Sequence, residues 1–195
     1  MYFMNEEKIE LTADEQKTLL ELSRKSLTYY LTCGKRMDID QSNFSERLRQ
    51  KRGVFVTLHK DSKLRGCIGN IFPENPIFLA VAENAINAGV GDPRFPNMSA
   101  DEMKDVAFEI SILSKPVKIT FSSPEDLLSC LDRRTGIILK KGRHQSTFLP
   151  QVWNEIPDKA EFLSHLAMKA GLASDEWKDP RVEVFYYSAL VFSEE

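Results

Sequence analysis

Cysteine, histidine and tryptophan are scarce in this chain: three, three and two among 195 residues. The cysteines, Cys33, Cys67 and Cys130, are odd in number, widely spaced and without a C-x-x-C partner. That excludes a disulfide framework and points to a reducing compartment, the cytoplasm. His59, His144 and His165 show no H-x-x-x-H or H-x-x-E-H spacing, so no metal site is legible locally. No G-x-G-x-x-G or G-x-x-x-x-G-K is present, so no nucleotide-phosphate loop is indicated, and the residues name no cofactor. No apolar run approaches the roughly 20 residues that span a bilayer, and Glu6 and Glu7 do not suit a signal peptide. Neither charge sign dominates. With 29 acidic and 26 basic residues, the chain lacks the basic footprint that duplex nucleic acid or an anionic membrane calls for.

What remains is an ordinary globular composition and a clear run of local signals. Thr12-Ala13-Asp14-Glu15 has capping-box form and predicts a helix. Leu19, Leu20, Leu27 and Leu31 form its packing stripe, and Gly34 ends it. Residues 35–52 are polar and predict a long surface connection or mobile flap. Residues 53–58 and 64–69 flank Asp61-Ser62 and predict a β-hairpin. Matching apolar faces places Leu58 opposite Leu64 and Val54 opposite Ile68, or calls for a bulge at a glycine with the same effect. Phe55 and Thr57 then flank Cys67 and Arg65.

Asn75-Pro76 predicts a helix capped by Asn75, with Ile77, Val81, Ala85 and Ala88 on one stripe. Two glycines and two prolines between Gly89 and Pro96 predict a shaped loop. Ser99 opens a short helix, and Val106–Ile112 alternates as a strand with Glu109 and Ser111 opposite its apolar face. Ser123-Pro124 starts another short helix. A hairpin follows around residues 141–143, then a turn at Trp153, a helix over 158–170 and a returning strand over 182–187. Hairpins demand antiparallel pairing, so the class is α+β, an antiparallel sheet flanked by helices.

Chemistry concentrates in Leu64-Arg65-Gly66-Cys67-Ile68-Gly69. Strand alternation puts Arg65 and Cys67 on one face and Leu64 and Ile68 on the other. A guanidinium beside a thiol favours the thiolate, and Gly66 and Gly69 permit close approach by a ligand or another backbone. Against this stands the commoner lot of a free cysteine, which packs as a small buried hydrophobe. His165, at the margin of its helix stripe, has the commoner reading of a half-buried structural residue and the rarer one of a base oriented by spatial neighbours.

This hexapeptide, Asp92-Pro93-Arg94-Phe95, Glu109-Ile110-Ser111, Thr147–Trp153 and Lys169–Leu172 together resemble the AMMECR-one domain family. Its prokaryotic members are also called AmmeMemoRadiSam system protein A. The resemblance runs from roughly Leu11 to Phe192. It implies a single domain over 11–193, with a larger and a smaller subdomain, preceded by a tail at 1–10. It supplies no established reaction, but it implies association with a Memo-like protein and a radical S-adenosylmethionine protein. Where many members look bulkier, Gly89-Val90-Gly91 predicts a more mobile loop.

Two functions compete. In a cysteine-dependent enzyme, Cys67 is a nucleophile or covalent carrier, Arg65 lowers its pKa, and Glu109 or His165 is acid or base. Arg65, Gly66, Gly69, Asp92 and Arg94 would then hold a small anionic substrate. In a non-catalytic adaptor, the same face recognises a partner through Arg65, Arg94 and Trp153. RNA binding in a local basic groove is disfavoured by the net acidity.

Overall fold

The computed structural model describes residues 9–72 and 74–194. In chain order its main elements are α1 (Ala13–Cys33), β1 (Gly53–Lys60), β2 (Lys63–Asn70), α2 (Ile77–Val90), β3 (Val106–Leu113), β4 (Val117–Lys118), α3 (Pro124–Cys130), β5 (Gly136–Lys141), β6 (His144–Phe148), α4 (Lys159–Lys169), β7 (Glu183–Tyr187) and β8 (Ala189–Ser193). The fold is α+β, as expected, with its strands in two four-stranded sheets ordered β2-β1-β3-β8 and β4-β7-β5-β6. Two compact units result. The larger comprises Ile9–Leu113 and Leu190–Glu195, and the smaller comprises Ser114–Ala189. Residues 1–8 of the expected tail lie outside the described residues, while Ile9 already packs on the larger core. Among the described residues no helix is long and apolar enough to cross a membrane.

In the larger unit, α1 is capped reciprocally by Thr12 and Glu15 and ended by Gly34 at φ +67°. It packs on α2, where Gly89 makes close approach necessary: a Cβ there would stand 2.6 Å from Leu27 Cδ1. Gly89 and Val90 therefore finish α2 instead of starting a mobile loop, because helix packing outweighs glycine's poor propensity. The cap of α2 also differs from expectation. Asn75 donates to Glu83 at 3.0 Å, while the first helical N–H, that of Ile77, is taken by the Gln50 carbonyl at 2.9 Å. That bond belongs to a segment the polar composition misrepresents as a flap. Phe44 stacks on Phe78 with ring centroids 4.4 Å apart, and Leu48 is buried, so two apolar anchors pin the connection.

The hairpin register corrects the expectation from matched faces. Asp61 and Ser62, both at positive φ, make a two-residue turn that pairs Lys60 with Lys63 and His59 with Leu64. Arg65 is then the extra residue of a bulge, so Leu58 faces Gly66, Thr57 faces Cys67, Val56 faces Ile68 and Val54 faces Asn70. The bulge also turns Leu64 onto the face of His59, opposite Ile68, where it is exposed. The reason is tertiary. A Cβ on Gly66 would lie 2.1 Å from the Ala88 carbonyl oxygen, so the register that sets glycine against α2 is the one the helix admits.

Beyond β1, β3 continues the sheet with Thr57 opposite Glu109 and Phe55 opposite Ser111. Val54, Val56, Leu58, Phe108, Ile110 and Ile112 fill the core, leaving the polar positions on the other face. Arg24 of α1 holds Glu194 in a two-bond pair at 2.6 and 2.8 Å and also bonds the carbonyls of Met103 and Val106.

In the smaller unit, α3 and α4 begin at Ser123 and Asp158 as predicted. Trp153 stacks on Phe162 at 3.5 Å and donates its indole N–H to the Thr135 carbonyl. It is 4% exposed, a core residue and not a recognition anchor. The brief strands β4 and β8 escape the sequence reading.

Candidate functional site

On the face of the first sheet opposite its apolar core, β1 contributes Phe55, Thr57 and His59, β2 contributes Cys67 and Gly69, and β3 contributes Glu109 and Ser111. Thr57 stands between Cys67 and Glu109 in one cross-strand row. Its hydroxyl donates to the Cys67 Sγ at 3.3 Å. Glu109 Oε2 lies 4.0 Å from His59 Nε2. Ser111, 1% exposed, has no hydrogen-bond partner for its hydroxyl among the described residues.

The loop after α2 closes on this strand through Asp92-Pro93-Arg94. Asp92 Oδ1 accepts the backbone N–H of Arg94 at 3.1 Å and its Nε at 2.9 Å, and Oδ2 accepts Nη2 at 2.7 Å. The Phe95 N–H returns to the Asp92 carbonyl at 3.2 Å, so proline occupies the second position of a tight turn. The same pair grips β2, the edge strand. Cys67 N–H donates to Asp92 Oδ2 at 2.9 Å, and the Cys67 carbonyl accepts Arg94 Nη2 at 3.3 Å. Two side chains thus satisfy the outward backbone groups of Cys67 as a neighbouring strand would.

Electrostatics follow from these bonds. The Arg94 guanidinium holds the Asp92 carboxyl at about 2, against the penalty of burial and with help from the Cys67 and Arg94 amides. Arg94 is raised in turn, chiefly by Asp92 and to a lesser degree by the Cys67 side chain. The cation at the thiol is therefore Arg94. Arg65, the cation that strand alternation suggests, spends its Nε and Nη2 on Glu102 at 3.0 and 3.2 Å, and Nη2 also bonds the Pro96 carbonyl. This pair, with Lys60 nearby, holds Glu102 below the usual carboxylate range, Arg65 being the main cause.

Arg65, Gly66, Cys67, Gly69, Asp92, Arg94 and Glu109 thus belong to one sheet and its flanking loop. The approach that Gly66 and Gly69 permit is by this chain's own atoms: the Ala88 carbonyl and the Phe55 ring. His165 belongs to the smaller unit, half exposed on α4, with Nε2 3.9 Å from Glu161. His59 is absent from the expected site, although β1 alternation already puts it on the face of Thr57. Two surface depressions of about 490 and 580 Å³ are lined wholly by the smaller unit and include none of these residues. Among the described residues no group of three His, Cys, Asp or Glu side chains is placed to hold a metal ion.

The AMMECR1 family model matches residues 20–192. Protein MK0488 of Methanopyrus kandleri is 42% identical over 194 residues, covering 95% of this chain and 91% of that one. Protein MJ0810 of Methanocaldococcus jannaschii is 37% identical, covering 94% and 92%. The crystal structure of uncharacterized protein PH0010 from Pyrococcus horikoshii superposes with a TM-score of 0.88 at 35% identity, covering 95% and 94%.

Proposed function

This chain belongs to the AMMECR1 family, and from that premise we propose that it is a cysteine-dependent enzyme with Cys67 as nucleophile or covalent carrier. One observation carries the reading: the thiol receives a hydroxyl donor from Thr57 and stands against an arginine that Asp92 fixes in place. Arg94 Nη1 takes part in no described hydrogen bond, on a side chain 54% exposed, and is the donor left for an anionic oxygen of the substrate. Glu109, 4.0 Å from His59 Nε2 and separated from the thiol by the β1 residue Thr57, is the proton acceptor of this scheme.

The adaptor reading loses two of its three anchors, since Trp153 is core and Arg65 is committed to Glu102. The family naming adds a Memo-like protein, a radical S-adenosylmethionine protein and a cytoplasmic setting to the proposal. Co-purification of the three from one lysate, retained in Cys67→Ser, is the expected result.

Alkylation by iodoacetamide at neutral pH, read by mass spectrometry site by site, tests the thiol. Cys67 should react faster than the exposed Cys33 despite its lesser exposure, and Arg94→Gln should remove most of that advantage. A Cys67 that labels no faster than Cys33 in the parent chain removes the mechanism.

A further inference from the structure

The smaller unit holds a second arginine in the same manner, and this one stands on a depression. Asp179 Oδ1 accepts the Arg181 N–H at 2.8 Å and Nε at 3.0 Å, and Oδ2 accepts Nη2 at 2.7 Å. Arg181 Nη1 is left over, on a side chain 77% exposed. It lines both depressions of this unit. Both have the size of a small-molecule site, and the one of about 490 Å³ also has an aromatic lining residue, Phe121.

In that depression Phe121, Pro124 and Val182 give an apolar lining, and Lys118, Lys178 and Arg181 give positive charge. Lys118 is matched by Glu183 at 2.5 Å and Arg181 by Asp179. Lys178 sits 5.3 Å above the Trp177 ring and acts electrostatically on Glu125, without an ion pair among the described residues. The lining itself carries three cations and one acid, Glu183, with Asp179 behind Arg181 and Glu125 near Lys178 as acids outside it. A dianion would meet Glu183 and Asp179, whereas an apolar body would cover lining that water solvates poorly.

We propose that this depression binds a small aromatic monoanion, its ring on Phe121 and Pro124 and its carboxylate on Arg181 Nη1 and Lys178. The site is independent of Cys67.

Titration of the ¹⁵N-labelled full chain with benzoate, benzamide and phenyl phosphate tests it by amide chemical shifts. Benzoate should move the amides of residues 119–123 and 181–183. Benzamide, of nearly the same shape but neutral, should bind roughly tenfold more weakly, the expected loss of a charge-assisted contact. Arg181→Gln should weaken benzoate by a similar factor and Lys178→Gln severalfold. Arg134→Gln, which removes an equally clamped and more exposed arginine away from the depression, should change nothing. The spectra themselves report whether each variant is folded. Equal binding of benzamide, full affinity in folded Arg181→Gln, tighter binding of phenyl phosphate, or no shift up to the solubility of benzoate would each overturn the assignment.

Discussion

Asp92-Pro93-Arg94 and Asp179-Pro180-Arg181 are one tripeptide folded one way in two units. In each, the aspartate accepts the arginine's N–H, Nε and Nη2, and its carbonyl closes the turn three residues on. Asp132-Arg133-Arg134 repeats the arrangement without the proline. The difference lies in the third partner. Asp92 reaches the backbone of Cys67, whereas Asp179 reaches the ammonium of Lys141 at 2.7 Å, which also pairs with Glu176. Asp92 is 2% exposed at its side chain and Asp179 17%. A local turn therefore supplies an oriented guanidinium wherever Asp-x-Arg occurs, and the surroundings decide whether it braces a strand beside a thiol or rims an apolar depression.

Displacing β2 at the residue before the one the Asp92 clamp grips is the severest way to break the comparison. Gly66→Ala forces a Cβ against the Ala88 backbone and should cost about 3 kcal/mol or more in chemical denaturation. Gly136→Ala, its counterpart in the smaller unit, brings its Cβ nearest to the buried Tyr187 ring, a side chain and not backbone, so it should be the milder of the two. The reverse order would mean that α2 yields and that the bulge register is not set by this contact.

Next in size is the clamp itself. Asp92→Asn leaves the Arg94 charge and the Cys67 N–H poorly answered in a buried place and should cost about 2 kcal/mol in thermal or urea unfolding. Asp179→Asn, nearer solvent, should lower the melting temperature less. Equal losses would show that the third partner is energetically idle.

How much of this is legible in sequence depends on the distance over which each feature is decided. The ends of α1, α3 and α4 are written within four residues by Thr12, Ser123 and Asp158, so they read correctly. The register of β2 is decided by Ala88 and the helical state of Gly89 by Leu27, contacts no local pattern reports. At the site, alternation places Arg65 and Cys67 on one face but says nothing of reach, and Glu102, 37 residues away, captures Arg65. The Asp92 turn reads as a turn, while its hold on Cys67 spans 25 residues. His59 shares the face of Thr57 by the same alternation, but a histidine in a strand carries no local signal that marks it as a site residue.

The smallest effect sharpens the comparison through pH. Asp92 titrates at about 2 when folded, below its ordinary 3.8, so the unfolded chain takes up the proton first. Its contribution to stability is complete above the ordinary value and fades as pH falls from there through about 2. The melting-temperature gap between the parent and Asp92→Asn should therefore be full at pH 7 and narrower at pH 3. A gap that stays constant across that range would mean that the carboxylate's charge is not what the clamp uses.

Ser114 and Ser188, where the chain passes into and out of the smaller unit, bond to each other twice: Ser114 N–H to the Ser188 carbonyl at 2.9 Å and Ser188 N–H to the Ser114 hydroxyl at 3.0 Å. The smaller unit is thus a cassette whose two ends are already fastened together. A gene fragment spanning only that stretch encodes a piece with its own closing stitch, and β3 and β8, which flank it, are neighbours in the sheet that remains.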